Sequence, residues 1–181
     1  MGEAPEKTLS VRRVYDGQVV GLRVEEVELS SGRRAIREIV EHRGAVGIVP
    51  LTREGEVLLV RQYRKAVDEW LVEIPAGTIE PGEEVEACLE RELAEEVGVR
   101  AGRYEKIVSF FPSPGFLTEV LHIYLATDLT PYELEREEED LHVLRVPLAQ
   151  ATEMVRRGEI KDAKSIIGIL LAAEHVGVQG G

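Results

Sequence analysis

Residues 77–99 read GTIEPGEEVEACLERELAEEVGV, with eight glutamates and a single basic residue, Arg91. Seven of those glutamates fall between Glu83 and Glu96, in a segment patterned as an amphipathic helix. Glu86/Glu90, Glu92/Glu95 and Glu92/Glu96 stand one helical turn apart, where like charges repel. A face made only for solubility would interleave lysines. Clustered carboxylates short of protein cations are the donor set that hard divalent metals require. Mg²⁺ in particular favours a few carboxylates, waters and substrate phosphate oxygens.

Helical periodicity separates these glutamates into two groups. Val85, Leu89 and Leu93 form one apolar stripe, with Glu92 and Glu96 within or beside it and Glu95 a little off it. Carboxylates at the edge of a buried face are unfavourable unless neutralised. Arg91 can pair with Glu95, but in the weaker orientation along the helix, and it is one cation. Glu84, Glu86 and Glu90 read as a solvated face. Cys88, one turn before Glu92, reads as a small buried thiol.

The segment resembles the Nudix box, G-x5-E-x7-R-E-U-x-E-E-x-G-U with U aliphatic. Gly77, Glu83, Arg91, Glu92, Leu93, Glu95, Glu96, Gly98 and Val99 fill all nine specified positions. The resemblance implies hydrolysis of a nucleoside diphosphate linked to another group, in an α/β/α sandwich with a mixed sheet. It implies that Glu92 and Glu96 ligate metal, with Glu95 contributing directly or through water. Glu83 and Arg91 become the pair that fixes loop to helix, and the carbonyl of Ala76, just before the box, becomes a further ligand. Mg²⁺ is the expected ion, with Mn²⁺ or another divalent metal as a substitute.

Residues outside the box select the substrate. Pro114 lies fifteen residues after Val99, in SPGF, a placing similar to that in the ADP-ribose pyrophosphatase branch. Gly115, Phe116 and Leu117 stand where the dinucleoside polyphosphate branch tends to carry tyrosine. The likeness extends through EHRGAVGIV, VRQYR, EIPAG, SPGFLTE, EEEDLHV and GEIKDAKSIIGILL, and is much weaker before them. By resemblance Arg64 contacts pyrophosphate or ribose, as a guanidinium at a strand end can. Its bland alternative is a surface ion pair. Glu119 resembles a residue that hydrogen-bonds the terminal ribose, with a loop-capping acid as the alternative. Pro114 and Gly115 complete the substrate-binding set. Phe110, Phe111 and Phe116 offer stacking surface, though core packing is the commoner use. His42, His122, His142 and His175 lack metal-ligand spacing and read as structural.

A second acidic run, EREEED, precedes the last strand. A solvated loop is the usual fate of such a run. In ADP-ribose pyrophosphatases a loop placed there supplies the glutamate that orients or deprotonates the attacking water. That leaves Glu137 and Glu139 as candidates, one a base and the other a metal ligand. Glu139, nearer the strand, is favoured. Arg91 and Glu95 complete the catalytic set.

The elements that must position these groups follow from pattern. VRRVYDGQVVGLRVEEVEL shows two β-type runs about Asp16-Gly17 and predicts an N-terminal β-hairpin. AIREIVEH, AVGIVPLT and EVLLVRQYR follow as strands, and WLVEIPAG holds a short strand ended by Pro75 and Gly77. The acidic helix ends at Gly98, a typical position just past a C-cap. RYEKIVSF, EVLHIYLAT and LHVLRVPL are further strands, and AQATEMVRRG and AKSIIGILLAAEHV close the chain as helices. Strands on both sides of one central helix predict an α/β fold, a mixed sheet between helices. Residues 1–40 are expected to form N-terminal strands that serve dimerisation, and residues 41–176 the Nudix domain.

Composition narrows the partners. A 181-residue chain carrying a formal charge of −12 offers no basic field for nucleic acid or an anionic membrane. Its single cysteine excludes an intrachain disulfide. MGEAPEKTLS has no apolar signal region, and no apolar run is long enough to span a bilayer, so a cytoplasmic setting is expected. The combined reading is a homodimeric Mg²⁺-dependent Nudix hydrolase cleaving ADP-ribose to AMP and ribose 5-phosphate. Its enzyme rival is a GDP-mannose pyrophosphatase. The non-enzyme rival is an ADP-ribose-sensing regulator, against which the intact box and the missing basic winged helix both argue.

Overall fold

The computed structural model describes residues 4–132 and 140–177. They divide into two compact units. One comprises the chain through residue 44 together with residues 111–120; the other comprises residues 45–110 and those from 121 onward.

The first unit is an antiparallel meander of three strands, β1 (Glu6–Asp16), β2 (Gly21–Leu29) and β3 (Arg34–Glu41), in that spatial order. The predicted hairpin is therefore part of a larger sheet, and its first strand starts within the polar lead-in. Its turn also differs from a two-residue Asp-Gly turn. Asp16 stays in the ladder opposite Gly21, and Gly17 N–H donates to the Val20 carbonyl at 3.0 Å. Gly17 serves packing instead, since a Cβ there would lie 2.5 Å from the Tyr15 ring. The segment 111–120 joins β3 through Val40 N–H to the Phe116 carbonyl (2.7 Å) and Thr118 N–H to the Val40 carbonyl (3.0 Å). Almost all of β1 is exposed, including Val11 and Tyr15.

The second unit holds the remaining strands: β4 (Ala45–Pro50), β5 (Glu56–Arg64), β6 (Glu69–Glu73), β7 (Ala76–Thr78), β8 (Val99–Arg100), β9 (Arg103–Phe110), β10 (Leu121–Thr127), β11 (Thr130–Pro131) and β12 (His142–Pro147). Its helices are α1 (Val85–Glu92), α2 (Leu148–Arg156) and α3 (Ala163–His175). A mixed sheet runs β7-β4-β10-β9, with β4 and β10 parallel. Beside it stand an antiparallel sheet β12-β5-β6 and the short pair β11-β8.

Strand alternation places two apolar layers back to back. Val46 and Ile48 of β4 and Leu58 and Val60 of β5 pack with Leu89 and Leu93 of the acidic helix. Their neighbours Val49, Val57 and Leu59 pack with Ile169 and Ala172 of α3 and Ala151 of α2. Strands buried on both faces read as continuous apolar runs, as AVGIVP does. This is the expected α/β/α arrangement. Burial of Leu89 and Leu93, both fully covered, contributes about 1.5–3 kcal/mol each and holds α1 against the sheet.

The strand in WLVEIPAG stops before Pro75, as expected, but a second short strand resumes at Ala76: β6 pairs with β5, and β7 pairs with β4. Proline lacks the N–H a ladder needs, and here the chain crosses from one sheet to the other. No helix among the described residues is long and apolar enough to cross a membrane.

Candidate active site

α1 begins after extended backbone at Glu84 (φ −75°, ψ 149°), with Glu86 in its first turn and Arg91 in its last, the polarity that suits the helix dipole. Glu84, Glu86 and Glu90 are exposed, as the periodicity implied. From Leu93 the helix widens into a π turn, Leu93–Val97, which stops at Gly98 in left-handed conformation (φ 73°). Widened turns shift side chains out of regular register and recur at functional sites. This one carries Glu95 and Glu96.

The carboxylates differ in exposure. Glu92 and Glu96 are 7% and 9% exposed, whereas the Glu95 side chain is 39% exposed. Arg91 is the hub between them. Its Nε and Nη2 donate to the two Glu83 oxygens at 2.9 and 3.1 Å, and Nη2 also reaches the Thr78 carbonyl at 3.3 Å. Its Nη1 donates to Glu92 Oε1 at 2.5 Å and to Glu95 Oε2 at 3.5 Å. Three carboxylates thus share one guanidinium. Glu83 further accepts from the Glu80 N–H at 2.9 Å, which closes the loop before α1 onto the helix.

Protonation follows these contacts. The Arg91 hydrogen bond holds the Glu83 carboxyl down at about 2, outweighing its slight burial. Burial pushes the Glu92 carboxyl above its ordinary range, with Arg91 only partly opposing. A second cation beside Glu92 would relieve that strain. Cys88 is fully buried, and burial together with Glu83 and Glu92 drives its thiol up to about 12, which suits the inert role expected of it.

Beneath the two buried carboxylates runs the segment 73–77, anchored at each step by a different part of the unit. Glu73 accepts from Arg64 and Lys164. Ile74 N–H donates to Ser165 Oγ at 2.8 Å, and the Pro75 carbonyl accepts from Ile48 N–H at 2.9 Å. Ala76 N–H donates to Glu96 Oε2 at 3.0 Å. At Gly77 a Cβ would lie 1.6 Å from Glu92 Oε1, so any side chain there would have to displace that carboxylate.

Among the described residues no three His, Cys, Asp or Glu side chains converge as a ready-made metal group. Glu92 and Glu95 turn toward Arg91, and Glu96 turns toward the Ala76 amide. The donor set nevertheless fits a hard divalent cation. It is all oxygen, and two of its carboxylates are withdrawn from water.

Arg64 ends β5. Because Leu58 and Val60 face α1, alternation places Arg64 on the same strand face. Its Nε and Nη2 each donate to Glu73 at 2.8 Å, so it has a protein partner of its own. Pro114, Gly115 and Glu119 belong to the other compact unit. There Pro114 and Gly115 sit in an exposed turn closed by Leu117 N–H on the Ser113 carbonyl at 3.0 Å. Glu119 Oε1 lies 3.5 Å from His42 Nδ1. Phe110 packs against the core, but Phe111 and Phe116 are exposed, because the loop that carries them leaves the sheet. Glu137 and Glu139 lie outside the described residues.

Sequence reasoning passed over Glu73, Lys164 and Ser165. The one signal was a lone charge inside an otherwise apolar strand, directly before Ile74-Pro75.

The NUDIX domain family matches residues 41–167. The chain belongs to the Nudix family. It is 42% identical over 172 residues to the ADP-ribose pyrophosphatase of Bacillus subtilis (strain 168), covering 93% of each chain. It is 34% identical over 151 residues to the GDP-mannose pyrophosphatase of Salmonella paratyphi B (strain ATCC BAA-1250 / SPB7), covering 72% of this chain and 77% of that one. The crystal structure of an ADP compounds hydrolase superposes with a TM-score of 0.86 at 27% identity, covering 99% and 98% of the two chains. The Nudix box is thus set in its family's fold. Nudix hydrolases act with divalent metal ions, and the carboxylates of α1 and the π turn are where this one can hold them.

Proposed function

We propose that this Nudix hydrolase cleaves the pyrophosphate bond of ADP-ribose, giving AMP and ribose 5-phosphate, with Mg²⁺ as its metal ion. The observation that carries the reading is the pair of buried carboxylates, Glu92 and Glu96, set against the Ala76–Gly77 backbone where α1 widens into its π turn. Similarity to the B. subtilis ADP-ribose pyrophosphatase supports the choice of substrate.

Glu92, Glu96 and Glu95 would hold the ion, with the Ala76 carbonyl as a further ligand. A divalent cation held there supplies Lewis acidity at the phosphate oxygens and makes water a stronger nucleophile near neutral pH. Arg91, locked by Glu83 and Thr78, fixes the directions of Glu92 and Glu95. Arg64 meets the pyrophosphate, and the sugar-binding role of Glu119, Pro114 and Gly115 rests on resemblance alone. Glu139, or Glu137 in its place, accepts a proton from the attacking water. The water oxygen bonds to one phosphorus, the bridging P–O bond breaks, and the bridging oxygen leaves on the other phosphate.

We further place the enzyme in the cytoplasm as a homodimer joined through the first unit. Support comes from the long exposed edge strand β1 and from exposed Val11, Val14, Tyr15 and Ile36. Light scattering should give about twice the chain mass of 20.2 kDa; a monomer would remove this part of the reading.

The testing experiment follows phosphate-containing products from a panel of nucleoside diphosphate sugars by ³¹P NMR, with Mg²⁺, Mn²⁺ or chelator. ADP-ribose should give the highest kcat/KM and chelator should abolish turnover. Preference for GDP-mannose, the reading that similarity to the Salmonella enzyme favours, would replace the substrate. Turnover unaffected by chelator would overturn the site.

A further inference from the structure

Glu73 is 1% exposed, one of the few charged side chains inside the core. A carboxylate there is strongly unfavourable without cations close by. It has two. Arg64 grips it with both Nε and Nη2 at 2.8 Å, and Lys164, from the first turn of α3, donates to the same carboxylate. Lys164 is itself 13% exposed and also bound to Asp162 at 2.9 Å, while the Arg64 side chain is 40% exposed. The two cations are therefore not equivalent. One is buried and fixed, and the other extends from the core toward solvent.

We propose that Glu73, supported by Lys164, is a positioning residue that presents the Arg64 guanidinium to the substrate pyrophosphate. The inference rests on the pyrophosphohydrolase reading given above. A bidentate grip on the Nε–Nη2 edge fixes the plane of the guanidinium, and so the direction of its Nη1 edge. An unanchored arginine at a strand end would have to be ordered at each binding event. Lys164 answers the second requirement. When an anion competes for Arg64, Glu73 keeps a buried counter-charge and is not left as a lone carboxylate. Burial pushes the Glu73 carboxyl up, but Arg64 and Lys164 together more than offset it, so it stays ionised and able to grip.

The same anchoring reaches the metal-holding residues. Lys164 and Ser165 fasten Glu73 and Ile74 to α3, and two residues further on Ala76 N–H meets Glu96. Arg64 and the carboxylate cluster thus share one rigid reference, the segment 73–77.

The alternative is that Glu73 only fastens α3 to β6, and steady-state kinetics of the full chain separate the two. Glu73→Gln, Lys164→Met, Arg64→Lys, Arg64→Ala and the double variant Glu73→Gln/Arg64→Ala would be assayed on the nucleoside diphosphate compound that wild type hydrolyses best, with melting temperature measured alongside. Glu73→Gln should raise KM about tenfold or more with kcat within about threefold, the pattern of lost binding to ground and transition states alike. Arg64→Lys, which keeps the charge but not the bidentate grip, should do likewise. The double variant should have the KM of Arg64→Ala alone, because both changes remove one interaction. Lys164→Met should raise KM less than Glu73→Gln does. Should Glu73→Gln not fold, Lys164→Met and Arg64→Lys still decide: an unchanged KM in both overturns the proposal. Melting temperatures that fall while every KM holds, or fully additive effects in the double variant, also overturn it and leave the enzyme reading intact. A wild type that hydrolyses no nucleoside diphosphate compound would overturn both.

Discussion

The Glu92 carboxylate occupies the space in which a side chain at residue 77 would have to stand: Oε1 lies 1.6 Å from the ideal Cβ position of Gly77. Gly77 is not among the residues with positive φ, so its requirement is spatial and not conformational. The first residue of the box and its principal carboxylate are a packed pair across β7 and α1.

Gly77→Ala should therefore damage catalysis more than folding. The added methyl must displace the Glu92 carboxylate from its place against Arg91, and displacements near 1 Å reduce rates about 10²-fold. We expect kcat to fall by about that factor, with a melting temperature lowered by only a few degrees. Measuring both together decides; unchanged kcat would mean that Glu92 does not act from this position.

Glu96→Gln separates charge from shape. The amide oxygen can still accept from Ala76 N–H, so the β7 contact and the fold should survive, while a ligand charge is removed. We expect at least a 10²-fold loss of kcat and weaker Mg²⁺ binding by calorimetry, with an unaltered circular dichroism spectrum. Wild-type activity at ordinary Mg²⁺ would refute the role assigned to Glu96.

Local features of the site were legible in sequence because local spacing controls them. The Val85/Leu89/Leu93 stripe placed α1 against the sheet, and Gly98 ended it. The π turn at Leu93–Val97 was not legible, since it depends on which carbonyl each N–H selects. Nor was Glu73 recognisable as a buried charge, because its second cation, Lys164, lies 91 residues away in the chain. The break at Pro75 was visible, but which sheet each half joins is a long-range pairing. The same holds for segment 111–120, whose hydrogen bonds to Val40 group it with the N-terminal strands.

The Glu83–Arg91 pair should give metal-free protein a defined acid sensitivity. Glu83 has its pKa lowered from an ordinary 4.5 to about 2, so its stabilisation is fully present above pH 4.5 and is lost as pH falls toward 2. Charge-assisted hydrogen bonds of this kind contribute about 1.5–3 kcal/mol. Urea unfolding in EDTA should show Glu83→Gln less stable than wild type by about that amount at pH 7, with the gap closing below pH 4. A gap that stays constant with pH would show that the pair's ionisation does not stabilise the fold.

We place the water-activating residue in the second acidic run, where adjacent glutamates leave two registers open. General base catalysis contributes typically about 10²–10⁴-fold, so the residue that serves should stand out from its neighbours. Glu137, Glu138 and Glu139 would each be changed to Gln, with kcat followed across pH at saturating Mg²⁺. Glu139→Gln should lower kcat the most and flatten the acidic limb of the profile, because the titrating base is gone. Glu137→Gln should rank second, as expected of a metal ligand whose loss more metal partly rescues, and Glu138→Gln should behave nearly as wild type. Loss confined to Glu137 would exchange the two roles and keep the chemistry. Full kcat in all three variants would make the run a solvated loop and move the base to the carboxylates of the box, Glu83, Glu92, Glu95 and Glu96, of which Glu95, 39% exposed and 3.5 Å from Arg91, is the most open to water.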